Sequence, residues 1–200
     1  MVVMLAIVPA AFLFSRLVDK WNYKEEIKLF KNIATFLNGN FTSNIFSQFY
    51  VDSFIGVHEG FPYTIKLTLR PNGFDSDSIL PKLIIFFERR TSFNMTVGLR
   101  DSTPTHFLIK KVKTGNPEFD KRFIIYSHDV LPVQNYVRNP DVQEHISALF
   151  LLGFPLLLIA KNKVRAERSF GKETDLAIEL GKTGLTETIR TLAFLAKSLP

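Results

Sequence analysis

From Met1 to Ser15 (MVVMLAIVPAAFLFS) no residue carries a charge, and extending the run to Val18 adds only Arg16. An 18-residue helix rises about 27 Å, close to the roughly 30 Å hydrocarbon core of a bilayer. A secretory signal would carry a cation ahead of its apolar stretch, and none precedes this one. A helix inside a globular core would need a partner on nearly every side of its four turns. Pro9 is no obstacle, because membrane helices tolerate proline. The pattern predicts a membrane anchor over residues 1–20, with Val2, Val3, Leu5, Ile7, Val8, Phe12, Leu13 and Phe14 in lipid.

Arg16, Lys20, Lys24, Lys28 and Lys31 follow the run, with Trp21 and Tyr23 where interfacial aromatics hold a helix end. Cations beside a span favour the cytoplasmic side. The expectation is a single-pass protein with a cytoplasmic body and Arg16, Lys20 and Trp21 at the interface. From Trp21 the period becomes helical: Ile27, Phe30, Ala34 and Leu37 share one face, and Asn38-Gly39-Asn40 ends it. Residues 21–40 read as a juxtamembrane amphipathic helix, and residues 41–200 as one α+β domain.

Beyond a polar-aromatic stretch at residues 41–50, the period drops to two. Tyr63, Ile65, Leu67 and Leu69 alternate with Thr64, Lys66, Thr68 and Arg70, as in a half-buried antiparallel strand, and Pro71-Asn72-Gly73 turns the chain. Lys82 to Glu88 (KLIIFFE) is apolar on both faces and reads as a central strand. Phe93 to Leu99 alternates again, and His106 to Val112 and Lys121 to Ser127 predict two more strands. Strands at this spacing imply a meandering antiparallel sheet with packed helices.

Ile146 to Ala160 is uncharged and resembles a second span, but its local grammar is globular. Asn139 suits an N-cap and Pro140 the first helical position, while Gly153 and Pro155 stop the helix. Leu156 to Ala160 and Val164 to Phe170 then form a hairpin around Lys161-Asn162-Lys163. A last helix is expected from Thr186, as N-cap, to Leu199, with Ile189, Leu192 and Leu195 on its stripe.

Composition narrows the function classes. Of 200 residues 46% are hydrophobic, enough for a sizeable core, and 20 are phenylalanine. Lys and Arg number 25 against 19 Asp and Glu; the resulting +6 is spread over both halves, unlike the concentrated charge of a nucleic-acid binder. Nucleic acid is not an expected partner. With no cysteine there is no thiol catalysis and no Cys-ligated zinc. His58, His106, His128 and His145 fit no metal-pair spacing, so neither a metal nor a cofactor is expected. Gly181-Lys182-Thr183 has Leu176 where a phosphate loop needs glycine. Glu118 and Asp120, on an extended segment, would share one side with Phe119 turned to the core. They read as hairpin-edge polar residues rather than an acid–base pair, and no catalytic residue is assigned.

The densest basic stretch is Lys161, Lys163, Arg165 and Arg168. Two readings stand: contact with anionic lipid headgroups, or protection of an exposed sheet edge against mispairing. The segment Thr114-Gly115-Asn116-Pro117-Glu118-Phe119-Asp120, followed by a strand, a helix opening at Asn139-Pro140-Asp141 and a hairpin, resembles uncharacterised bacterial single-pass membrane-anchored proteins over residues 105–170. In those proteins the segment runs Thr-Gly-Asp-x-x-Phe-Asp, and Asn116 stands in place of the Asp. The resemblance implies an anchored architecture and nothing catalytic.

Two function classes lead, ahead of a third and weaker one, an enzyme working through residues brought together only in the fold. One is a non-enzymatic accessory protein that docks on a larger membrane protein complex. The other is a lipid or apolar-ligand binding module at the bilayer surface, with Phe93, Met95 and Phe107 as candidate lining of an apolar cavity.

Overall fold

The computed structural model describes residues 40–44, 51–71, 79–100, 109–160, 162–169 and 181–200. The expected anchor with its interfacial residues, the amphipathic helix, Phe107 and Lys161 lie outside them. Among the described residues no helix is long and apolar enough to cross a membrane.

Among the described residues nine strands form one antiparallel sheet: β1 (Asn40–Asn44), β2 (Val51–His58), β3 (Phe61–Pro71), β4 (Ile79–Glu88), β5 (Met95–Leu99), β6 (Lys110–Val112), β7 (Phe123–Ser127), β8 (Leu156–Ala160) and β9 (Lys163–Ser169). The described helices are α1 (Pro117–Arg122), α2 (Val130–Val137), α3 (Pro140–Leu151) and α4 (Gly181–Lys197). Strand order is β1-β2-β3-β4-β9-β8-β5-β7-β6. The sheet is therefore a meander only through β4, because the β8–β9 hairpin sits between β4 and β5. KLIIFFE is central, as its two apolar faces suggest.

Pleating aligns one buried row across the sheet. Phe54, Ile65, Ile85, Ala166, Leu157, Val97, Ile125 and Val112 are successive cross-strand partners. None is more than 4% exposed. The helices close this face: α4 packs on β2, β4 and β9, α3 packs on α4, and α2 lies against β6. Leu185, Ile189, Leu192 and Leu195 of α4 join the same core as the row. That stripe starts before Thr186, which lies inside α4 rather than at its cap.

Three local features set the packing, two in the helix layer and one between β2 and β3. α3 ends in a glycine turn, with Gly153 N–H donating to Phe150 O (3.0 Å) and Phe154 N–H to Leu149 O (3.3 Å), Gly153 at φ 84° and Phe154 buried. The Tyr136 hydroxyl of α2 donates to Leu195 O of α4 at 2.8 Å. In β2, Gly56 makes room for the Tyr63 ring, whose hydroxyl would lie 2.5 Å from any added Cβ.

Two expectations change between residues 117 and 137. Lys121 and Arg122 belong to α1 and not to the following strand. Val130–Val137, which the period left unassigned, is helix α2.

Replacing Ile85 by Ala, in the buried row, should cost about 2–5 kcal/mol. The neighbouring Ile84→Ala, on the half-buried opposite face, should cost clearly less; urea unfolding of both variants compares the two faces. Burial also pushes the Tyr63 phenol up to about 12 and raises that of Tyr136. The unfolded chain then ionises first as pH rises, so stability is intact below the ordinary value of 10.0 and falls as pH climbs through 12. Tyr63→Phe should flatten that alkaline loss in denaturant titrations.

Candidate functional site

The Thr114–Asp120 segment is a structural corner. Asn116 caps α1, its Oδ1 accepting from Glu118 N (3.1 Å) and Phe119 N (3.3 Å), with Pro117 at the first helical position. Thr114, buried, donates from N (3.0 Å) and from Oγ1 (3.1 Å) to Asp120 Oδ1. Gly115 takes φ 87°. Phe119 enters the core beside Phe123, ring centroids 4.7 Å apart. Glu118 is exposed on α1, so the two carboxylates do not share an extended strand, and Asp120 is occupied by Thr114.

Asn116 shows why an amide stands at this position. Its Nδ2 donates to Gln143 Oε1 at 2.7 Å, and Gln143 Nε2 donates to Val137 O at 2.8 Å. The chain of donors ties α1 to α3 and to the end of α2 through a buried glutamine. A carboxylate could cap α1 equally well but could not donate to Gln143.

The described histidines do not assemble, and His106 lies outside the described residues. His145 stacks on Phe194 (3.7 Å between centroids) with Nδ1 2.8 Å from Asp141 O, while His58 ends β2 and His128 is exposed beyond β7. Among the described residues no group of three His, Asp or Glu is placed to hold a metal ion.

The opposite face of the sheet is chemically different from the helix-covered one. In register across it run Ile55, Thr64, Phe86, Arg165, Leu158, Thr96, Tyr126 and Lys111. None of these belongs to the core the helices close. Ile55 and Val57 are 50% and 66% exposed, and Ile84, Phe86, Leu156 and Leu158 are half-buried. Glu167 is the buried charge here, paired with both Lys82 and Arg165. Lys66 and Lys163 stand over the Phe86 ring at 5.5 and 5.2 Å from its centroid. A cleft of about 320 Å³ opens beside them, lined in part by Thr96, Tyr126, His128, Leu158, Lys163 and Arg165.

Strand alternation divides the basic stretch that the sequence singles out. Lys163 and Arg165 face this open side, whereas Arg168 faces the helices and donates from Nη1 to Leu152 O (2.9 Å), covering the glycine turn of α3. Sequence reasoning grouped the three by proximity; the two-residue period of β9 would have separated them. It also missed Lys66, Lys82 and Phe86, which reach the same spot from β3 and β4 through cross-strand register. Of the three residues named for an apolar cavity, Phe93 and Met95 are buried, Phe93 packing on Tyr136 with centroids 5.5 Å apart and Met95 lining the cleft, while Phe107 lies outside the described residues.

No family model and no curated protein matches the chain. Among solved structures, the crystal structure of the mycobacterial trehalose monomycolate transport factor A, TtfA, is similar in fold, with a TM-score of 0.53 over 85% of this chain and 93% of that chain. Sequence identity is 12%, so the likeness is one of architecture.

Asn116→Asp should keep α1 capped yet remove the donor to Gln143, at a cost of about 1–3 kcal/mol. Urea unfolding checks the loss, and a variant as stable as the native chain would contradict the role given to the amide.

Proposed function

We propose that this chain is a non-enzymatic accessory protein, tethered at a membrane by its first twenty residues, whose α+β body docks on a larger membrane protein complex that handles a lipid. The lipid part of this reading is supported by the fold shared with TtfA over 85% of this chain and 93% of that chain. That protein is named a transport factor for trehalose monomycolate, a glycolipid. The uncharged run from Met1 to Ser15 supports the tether, and the cations after it support a body on the cytoplasmic side.

The division of the sheet into two faces bears on how such a body works. One face is closed by helices; the other presents half-buried apolar side chains among cations, and exposes Ile55 and Val57. Apolar surface rimmed by polar groups marks an interaction site rather than a solvated wall. A second reading, that the body itself takes up a lipid, is favoured by the cleft beside Tyr126 and Leu158, which joins apolar lining to Lys163 and Arg165.

Native electrophoresis of gently solubilised membranes tests the first reading. The chain should migrate with a species far larger than its own 22.9 kDa in detergent. Migration as a bare monomer under conditions that keep other membrane complexes whole would overturn it.

A further inference from the structure

β9 lies inside the sheet, between β4 and β8, so its cations do not guard an edge. They meet three other strands' side chains on the open face. Phe86 of β4 is directly opposite Thr64 of β3 on one side and Arg165 of β9 on the other. Lys66 and Lys163 occupy the diagonal positions, within side-chain reach of the same ring, and both ammonium groups are drawn over it. One aromatic ring thus carries two ammonium groups from two strands, with Arg165 opposite it in register and ion-paired to Glu167.

The available acidic groups do not neutralise this cluster. Glu167 is shared between Arg165 and Lys82. Glu88 is opposite Lys163 in register but makes no ion pair with it, and Lys66 has no carboxylate partner among the described residues. Two ammonium groups held against one ring repel each other, and an anion with several oxygens above the ring would accept from both while reaching the Arg165 guanidinium. The cleft lined by Leu158 and Tyr126 begins at Lys163 and Arg165. A free inorganic anion has no use for that apolar hollow, whereas an amphiphile fills it with its hydrocarbon.

We infer that the cationic ring of Lys66, Lys163 and Arg165 around Phe86 binds the headgroup of an anionic lipid, with the lipid's apolar part in the cleft beside Leu158 and Tyr126. The inference rests on the reading that the body takes up a lipid, and it names the site and the charge of the ligand. Attraction between the cluster and the headgroup weakens with added salt.

The test uses the full chain in a neutral detergent, titrated calorimetrically with short-chain phosphatidylglycerol, with short-chain phosphatidylcholine and with inorganic phosphate. Phosphatidylglycerol should bind more tightly than the other two. The double variant Lys66→Gln/Lys163→Gln should bind it about thirtyfold more weakly, at about fivefold for each cation near a headgroup. Lys66→Arg/Lys163→Arg should retain binding, and Lys121→Gln, an exposed cation on α1, should leave it unchanged. An unchanged thermal midpoint shows that the glutamine variant is folded. Equal affinity of that variant and the native chain overturns the site and leaves the lipid-uptake reading standing. No binding of either phospholipid by the native chain overturns both. Inorganic phosphate binding as tightly as phosphatidylglycerol overturns the lipid assignment in favour of a free anion.

Discussion

The structure depends on one row of side chains staying dry. From Phe54 on β2 to Val112 on β6, cross-strand partners carry the row through eight strands without a polar interruption. A slip of one residue in a strand would turn its core set to the other face, which makes register the quantity the sequence has to specify. The helices follow from that row: α4 covers the β2–β4–β9 side, and α2 and α3 extend the layer beyond it. What the row excludes must go to the other face. Lys66, Lys82, Lys163, Arg165 and Glu167 therefore converge there because their strands alternate in phase.

Small polar contacts keep the helix layer at a fixed height above the sheet. Asn116 and Gln143 pass hydrogen bonds from α1 through α3 to the end of α2. Arg168 leaves β9 on the helix side and meets the last carbonyls of α3, where Gly153 has no side chain to obstruct it. The same strand thus fastens a helix with one cation and presents Lys163 and Arg165 on the opposite face. Rigid presentation favours recognition, since side chains fixed by packing lose less freedom when a ligand arrives.

Strands with strict alternation, such as Tyr63–Arg70, were legible from their period, and so was the helix opening at Asn139-Pro140-Asp141. The closely similar Asn116-Pro117-Glu118 opens a helix too, but one of six residues that runs straight into β7, too short to show a helical period. α2 escaped because Pro132 and Asn135 interrupt its apolar pattern, while Val133, Tyr136 and Val137 are held by tertiary packing. The insertion of β8 and β9 between β4 and β5 leaves no local trace, because pairing between distant strands is decided by the buried row. The cluster around Phe86 was invisible for the same reason: its members are separated by up to about a hundred positions and meet only through register.

On the proposed reading, the sheet face opposite the described helices, and not the helix layer, meets the partner complex. The chain has no cysteine, so single substitutions can be labelled without background. Ile55→Cys on β2 and Leu131→Cys on α2 replace side chains that are 50% and 70% exposed. Their reaction rates with a membrane-impermeant maleimide, compared between opened native membranes and the purified chain in detergent, give the most direct test. The β2 position should be protected in membranes while the α2 position reacts as it does after purification. Protection of the α2 position with free reaction at β2 would contradict it.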